Sequence, residues 1–203
     1  SSSLPASFNL GYSEGPLSYL AANMELDDAL ESLINKLKDA GKLDDTVIAL
    51  VGDHYPYELS IDEINEISSY KKDAKIEINR SKFILYNSAM ENVNISKVGS
   101  TIDVLPTIYN LFNLKYDSRL IIGTDLLSTS GGLAMFDNRS WVTDKGTYFT
   151  DTGEFIKKGD VSDDYVNKQM QIVNNKINLS SYFMDTNYYN IVSNYVKWLV
   201  KIL

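Results

Sequence analysis

From Leu17 to Ala40 the apolar residues Leu20, Met24, Leu26, Leu30, Leu33, Ile34 and Leu37 recur at helical spacing. Gly41 follows where a helix-ending glycine belongs. Thr46 to Val51 is an apolar, β-branched run that stops at Gly52, and Lys82 to Asn87 is a second such run; both predict buried strands. Between them, residues 58–80 are charged and weakly periodic, which predicts a surface insertion with one short helix over Ile61 to Ile67. Ser96 to Leu114 predicts a turn and then a helix that tolerates Pro106 in its first turn, and Ile121 to Leu127 closes this half. After Ser128 the texture changes. Leu133 to Asp137, Ser140 to Thr143, Gly146 to Thr150 and Glu154 to Lys157 are short pieces separated by Asp-Asn, Asp-Lys-Gly and Asp-Thr-Gly, which predicts an antiparallel meander. Tyr165 to Leu179 carries Val166, Met170, Val173 and Ile177 on one helical face, and a last amphipathic helix ends the chain.

Helix, short loop and strand in succession is the order of an α/β fold. The expected division is an α/β portion over residues 1–128, opened by a Ser-, Gly- and Pro-rich lead-in (1–16), and a small subdomain of hairpins and helices over 129–203. At 203 residues the chain can bury a core of its own. A net charge of −8 argues against nucleic acid as a partner, and the absence of cysteine excludes disulfides, thiolate ligands and Cys nucleophiles. No run reaches the roughly 20 apolar residues of a membrane-spanning helix, so the last helix is expected to pack on the domain. The chain begins with Ser1 and shows no signal peptide, which points to a processed or excised piece of a longer protein.

The chemistry concentrates at Asp53-His54, directly after the first strand, and His54 is the only histidine. In open α/β sheets ligands gather at the carboxyl ends of strands. A carboxylate and a neutral imidazole are common ligands for divalent metals such as Zn or Mn. A strand-end aspartate capping a turn beside a surface histidine gives the same pattern, and spacing alone leaves both readings open.

Several ordered blocks carry a resemblance. Leu26 to Lys38 with Gly41 and Asp45-Thr-Val-Ile48 is similar to a helix leading into a central strand; Gly52-Asp-His-Tyr55 is similar to a metal-binding tetrad. Ile102-Asp-Val-Leu-Pro-Thr-Ile108, Gly123-Thr-Asp-Leu126 and Phe136 to Thr143 complete the set. In this order, over about residues 17–185, they resemble the C-terminal half of the sulfatase-like catalytic domain of lipoteichoic acid synthases, phosphoglycerol transferases of the alkaline phosphatase superfamily.

The resemblance implies an alkaline-phosphatase-like sandwich, a mixed sheet flanked by helices. It also implies one divalent cation, most often Mn2+ with Mg2+, Ca2+ or Zn2+ as alternatives, held in part by Asp53 and His54. In that family a threonine nucleophile forms a covalent intermediate. Nucleophile, acidic co-ligand and a phosphoryl-binding histidine belong to the family's first half, so they are expected upstream of Ser1, with the remainder of the catalytic domain. This chain alone is then expected to be inactive and to bind manganese weakly or not at all. The implied substrate is a phosphatidylglycerol-type lipid or glycerol-phosphate polymer, at the outer face of the cell membrane. A sulfatase or phosphoethanolamine transferase of the same superfamily, or a non-catalytic envelope-binding module, are the alternatives. Two departures stand out: Pro56 replaces the glycine common after the tetrad, and bulky Tyr57-Glu58 follows, which stiffens the loop. Asp103 reads as a helix N-cap rather than a ligand, Asp125 carries the same caution, and Arg139 and Trp141 fit hairpin packing as well as a groove.

Overall fold

A computed structural model describes residues 11–202; residues 1–10, most of the expected lead-in, lie outside the described residues. Among the described residues the fold is α/β, with five α-helices and two antiparallel sheets, and the chain divides into two compact units, Ser1–Val93 and Asn94–Leu203.

The first unit opens with helix α1 (Glu14–Asp39), three residues earlier than the periodicity predicts. Ser13 precedes it and is fastened to Glu66, with its N–H donating to Oε2 at 2.8 Å and its hydroxyl to Oε1 at 2.9 Å. Gly41, at φ +63°, ends the helix in a Schellman turn: Lys42 N–H donates to Leu37 O (2.8 Å) and Gly41 N–H to Lys38 O (3.0 Å). Leu20, Met24, Leu30, Ile34 and Leu37 form the half-buried stripe, whereas Leu26 and Leu33 face solvent. Strands β1 (Ile48–Val51) and β2 (Phe83–Tyr86) pair antiparallel, Ile48 opposite Tyr86 and Val51 opposite Phe83. Asn87 Nδ2 closes the ladder on the carbonyls of Asp44 (2.9 Å) and Thr46 (2.8 Å).

The two sheets and five helices are consistent with part of the expected alkaline-phosphatase-like fold: among the described residues its first sheet is the antiparallel pair β1–β2, because the 52–82 connection returns β2 alongside β1 in the opposite direction, and the expected antiparallel meander is the second. The expected burial of the two strands changes. Neither strand is buried on both faces: β1 alternates between half-buried and exposed residues, β2 exposes Ile84, and Val51 and Ile84 are nearly half exposed. An apolar strand of this composition is built for a two-sided sheet, and within this unit only one face is covered.

The charged segment is more ordered than an insertion. Helix α2 (Ile61–Ile67) is capped by Ser60 and Glu63, which hydrogen-bond reciprocally, and Leu59, Ile64 and Ile76 are buried. Asp73 ties down the next turn through Oδ1, which accepts the N–H groups of Ile76 (2.7 Å), Lys75 (2.8 Å) and Glu77 (3.3 Å). Burial pushes the Asp73 carboxyl up, but the three amide donors outweigh it and hold the group below the ordinary 3.8. A carboxyl depressed in the folded state stabilises fully above its unfolded pKa, and the contribution is lost as pH falls through the folded value. An amide NMR titration is therefore expected to show the Ile76 and Lys75 N–H signals moving with a midpoint below 3.8. A midpoint at or above the ordinary value contradicts this turn.

In the second unit, α3 (Val104–Leu111) follows a 3-10 turn over Thr101–Asp103 and carries Pro106 in its first turn. A four-stranded meander comes next: β3 (Ala134–Met135), β4 (Trp141–Thr143), β5 (Gly146–Phe149) and β6 (Glu154–Lys157), paired in sequence order. Helices α4 (Tyr165–Asp185) and α5 (Tyr188–Ile202) finish the chain. Asn113 and Asn187, both at φ 50°, take the left-handed position after α3 and α4 that glycine holds after α1. Among the described residues no helix is long and apolar enough to cross a membrane. Tyr189, near the start of α5, donates its hydroxyl to Leu120 O at 2.8 Å.

Trp141 is fully buried, stacked on Tyr148 (5.5 Å between centroids) with Phe155 and Tyr165 around it. Arg139 bonds Asn174 of α4, so both residues serve packing rather than a groove. The change of texture after Ser128 falls inside this unit. Bonds cross that position: Ser100 Oγ donates to Leu133 O (3.3 Å) and Met135 N–H to Ser100 Oγ (3.4 Å).

Candidate metal centre

β1 ends at Val51, and Gly52 turns the chain close past Ser81, where a Cβ would approach the Ser81 side chain to 3.3 Å. Asp53 and His54 follow on the strand's carboxyl end. A turn closed by Leu59 N–H on Pro56 O (3.2 Å) then leads into the capped start of α2, with buried Leu59 as its anchor. The pair is thus held between a strand end and a helix start.

Both side chains are open to solvent, Asp53 at 89% and His54 at 46%. Asp53 Oδ1 accepts the His54 N–H at 3.0 Å, which leaves Oδ2 turned toward the ring, 3.6 Å from Nε2. His54 Nδ1 lies 2.7 Å from Tyr55 O. A carbonyl can only accept, so Nδ1 carries the proton, and in the neutral ring Nε2 holds the free lone pair. A carbonyl partner on the far nitrogen is the arrangement that orients a metal-ligating imidazole. Two donor atoms bound at about 2.1 Å to one ion at a tetrahedral angle lie about 3.4 Å apart. The 3.6 Å between Oδ2 and Nε2 fits that, so the two residues fit a divalent cation as one side of its shell. Among the described residues no third His, Cys, Asp or Glu joins them.

The motif blocks of the second unit have another purpose. Asp103 sits at the N-cap position of α3, yet its carboxylate makes no bond to that helix. It is almost fully buried, with Oδ2 accepting Ser100 N–H (2.7 Å) and Oδ1 accepting Thr124 N–H (2.6 Å). Thr107, buried one turn on, donates to Asp103 O (2.6 Å) and accepts Leu126 N–H (2.9 Å). Asp125 accepts Asn110 Nδ2 (2.7 Å) and Leu127 N–H (2.9 Å). Gly123 lies so close to Ile102 that a Cβ would sit 1.9 Å from its carbonyl oxygen. The Asp-Val-Leu-Pro-Thr and Gly-Thr-Asp blocks are therefore one structural clasp.

Sequence reasoning missed the aromatic shell of His54. Tyr57 stacks on the imidazole, 4.2 Å between centroids and 10° from parallel, and Tyr55 meets Tyr57 edge-on at 4.8 Å. The signal was the two tyrosines flanking Pro56, visible in the sequence only as bulk.

Comparison with known proteins agrees with this architecture. The family model described as Sulfatase matches residues 6–114, more than half the chain and inclusive of Asp53, His54 and the Asp103–Thr107 half of the clasp. Lipoteichoic acid synthase of Staphylococcus saprophyticus is 33% identical over 129 residues, 62% of this chain and 20% of that protein. Lipoteichoic acid synthase 1 of Bacillus subtilis is 30% identical over 179 residues, 76% of this chain and 26% of that protein. Lipoteichoic acid synthase-like YvgJ of the same organism is 29% identical over 149 residues, 68% and 24%. The chain spans about a fifth to a quarter of the length of these relatives. With that family match and those relatives, the chain belongs to the sulfatase family, alongside the lipoteichoic acid synthases.

Proposed function

We propose that this chain contributes half of the cation site of a phosphoglycerol transferase acting in glycerol-phosphate polymer synthesis. The observation that carries the reading is Asp53 Oδ2 and His54 Nε2 at 3.6 Å, with Nδ1 engaged on Tyr55 O. Asp53 supplies a hard anionic oxygen, and His54 a neutral nitrogen whose orientation the backbone sets. The cation, Mn2+ first and Mg2+, Ca2+ or Zn2+ next, would neutralise charge on the ester oxygens when bound. The threonine nucleophile and an acidic co-ligand come from residues outside this chain. The substrate is a phosphatidylglycerol-type lipid or the growing glycerol-phosphate polymer, at the outer face of the cell membrane; nucleic acid is not a partner. Relatives named lipoteichoic acid synthases support the phosphoglycerol reading.

In the full-length protein, Asp53→Asn is expected to lower lipid-substrate turnover at least about 100-fold, because an amide oxygen is a neutral, weaker ligand for a hard cation. Near-wild-type turnover with manganese supplied would sink the proposal. By itself, the 203-residue chain presents two protein ligands and is expected to bind Mn2+ only weakly in a calorimetric titration; tight binding that depends on His54 contradicts this.

The family's description favours a second ester, sulfate, on the same fold. The discriminator is the upstream nucleophile, threonine for phosphoglycerol transfer and a modified Cys or Ser for sulfate hydrolysis.

A further inference from the structure

We infer that Tyr57 is a positioning residue that clamps the His54 imidazole, holding it in the Nδ1–H form with Nε2 presented toward Asp53. The inference rests on the cation reading only for its purpose; the clamp itself is a property of the loop.

Three contacts define it. The Tyr57 ring lies flat on the imidazole, 4.2 Å away and 10° from parallel. Tyr55 O accepts the hydrogen bond from Nδ1–H at 2.7 Å. Tyr55 braces the outer ring edge-on at 4.8 Å. Stacking fixes the plane of the imidazole and the carbonyl fixes its rotation within that plane, so together they remove both side-chain degrees of freedom of His54. The opposite tautomer would set two lone pairs against each other across 2.7 Å. Pro56, which fixes its own φ between the two tyrosines, limits how far the clamp can open.

Such a clamp has a use where the side chain is half exposed and one cation ligand among few. A free imidazole samples several rotamers, and ordering it weakens binding; a ring held beforehand avoids that cost. Tyr57 itself is 63% exposed, so core packing does not account for the stack.

The single histidine makes the test direct. In the 203-residue chain labelled with 15N-histidine, at pH about 9 where an ordinary imidazole is neutral, long-range 1H–15N spectra report only His54. Wild type is expected to show protonated Nδ1, unprotonated Nε2 and carbon-bound ring protons shifted upfield by the Tyr57 ring. Tyr57→Ala is expected to lose the upfield shift and to lower the Nδ1–H to Nε2–H ratio about 2- to 10-fold, the size a stacked aromatic pair accounts for. Tyr57→Phe is expected to restore both. The Mn2+ concentration that half-broadens the Nε2 signal should rise by a similar factor in Tyr57→Ala and return in Tyr57→Phe; this readout works for a weak site. Unchanged ring shifts and tautomer ratio in Tyr57→Ala, with the amide spectrum otherwise intact, overturn the clamp. A pinned tautomer in wild type with no Mn2+ broadening at His54 supports the clamp, and the cation reading is then decided separately by turnover of Asp53→Asn in the full-length protein.

Discussion

Trp141→Ala is expected to cost about 3–5 kcal/mol of folding stability, as the removal of a fully buried indole does. That is a large part of what a domain of this size possesses, and the second unit is expected to lose its cooperative transition in urea, followed by far-UV circular dichroism. The reason is local. Trp141 has no exposed surface and stands on β4 against Tyr148 of β5, with Phe155 of β6 and Tyr165 of α4 closing the cluster. One side chain therefore joins three strands and a helix. Neighbouring rings cannot collapse into the space, because β4 and β5 hold them in register. Trp141→Phe keeps a stacking ring and is expected to cost less than half as much. A loss below about 1 kcal/mol for the alanine variant contradicts the assignment of Trp141 as the centre of this unit.

The second large effect is expected at Asp103. Its two carboxylate oxygens satisfy Ser100 N–H and Thr124 N–H in a nearly dry setting. Asp103→Ala strands both donors, and each buried unsatisfied group costs about 1–3 kcal/mol, so a total of about 2–6 kcal/mol follows. Asp103→Asn is nearly as harmful: the amide offers one accepting oxygen, and its NH2 group faces a backbone donor. The two variants together separate hydrogen-bond loss from loss of volume. Amide exchange at Thr124 is expected to rise in both, because the 123–127 loop is fastened to α3 through this carboxylate and Thr107. Wild-type stability in Asp103→Asn contradicts the clasp.

Asp103 also shows why motif reading stops where it does. A local rule places an aspartate before a helix at the N-cap, where its side chain bonds the first turn. Here the better partners are Ser100, three residues back, and Thr124, 21 residues ahead; the second is invisible until the chain folds. The strands teach the same lesson in reverse. Composition correctly located Ile48–Val51 and Phe83–Tyr86, but continuous apolarity cannot say how many faces are covered within one unit, and here it is one. Periodicity did well wherever the signal was local. Ile61–Ile67 is helical over its full predicted span, and the Asp-Lys-Gly and Asp-Thr-Gly turns separate β4, β5 and β6.

The amino-acid sequence by itself determined the helices, the strands, the meander's turns and the presence of Asp53-His54 after a strand, because spacing, capping and turn chemistry act over a few residues. Only the tertiary structure decided what those residues do with their atoms. It set Oδ2 and Nε2 at 3.6 Å, directed the Nδ1–H to Tyr55 O, laid Tyr57 on the imidazole, and used Asp103 in a loop clasp. Those outcomes depend on direction and distance between side chains, which a linear pattern does not contain.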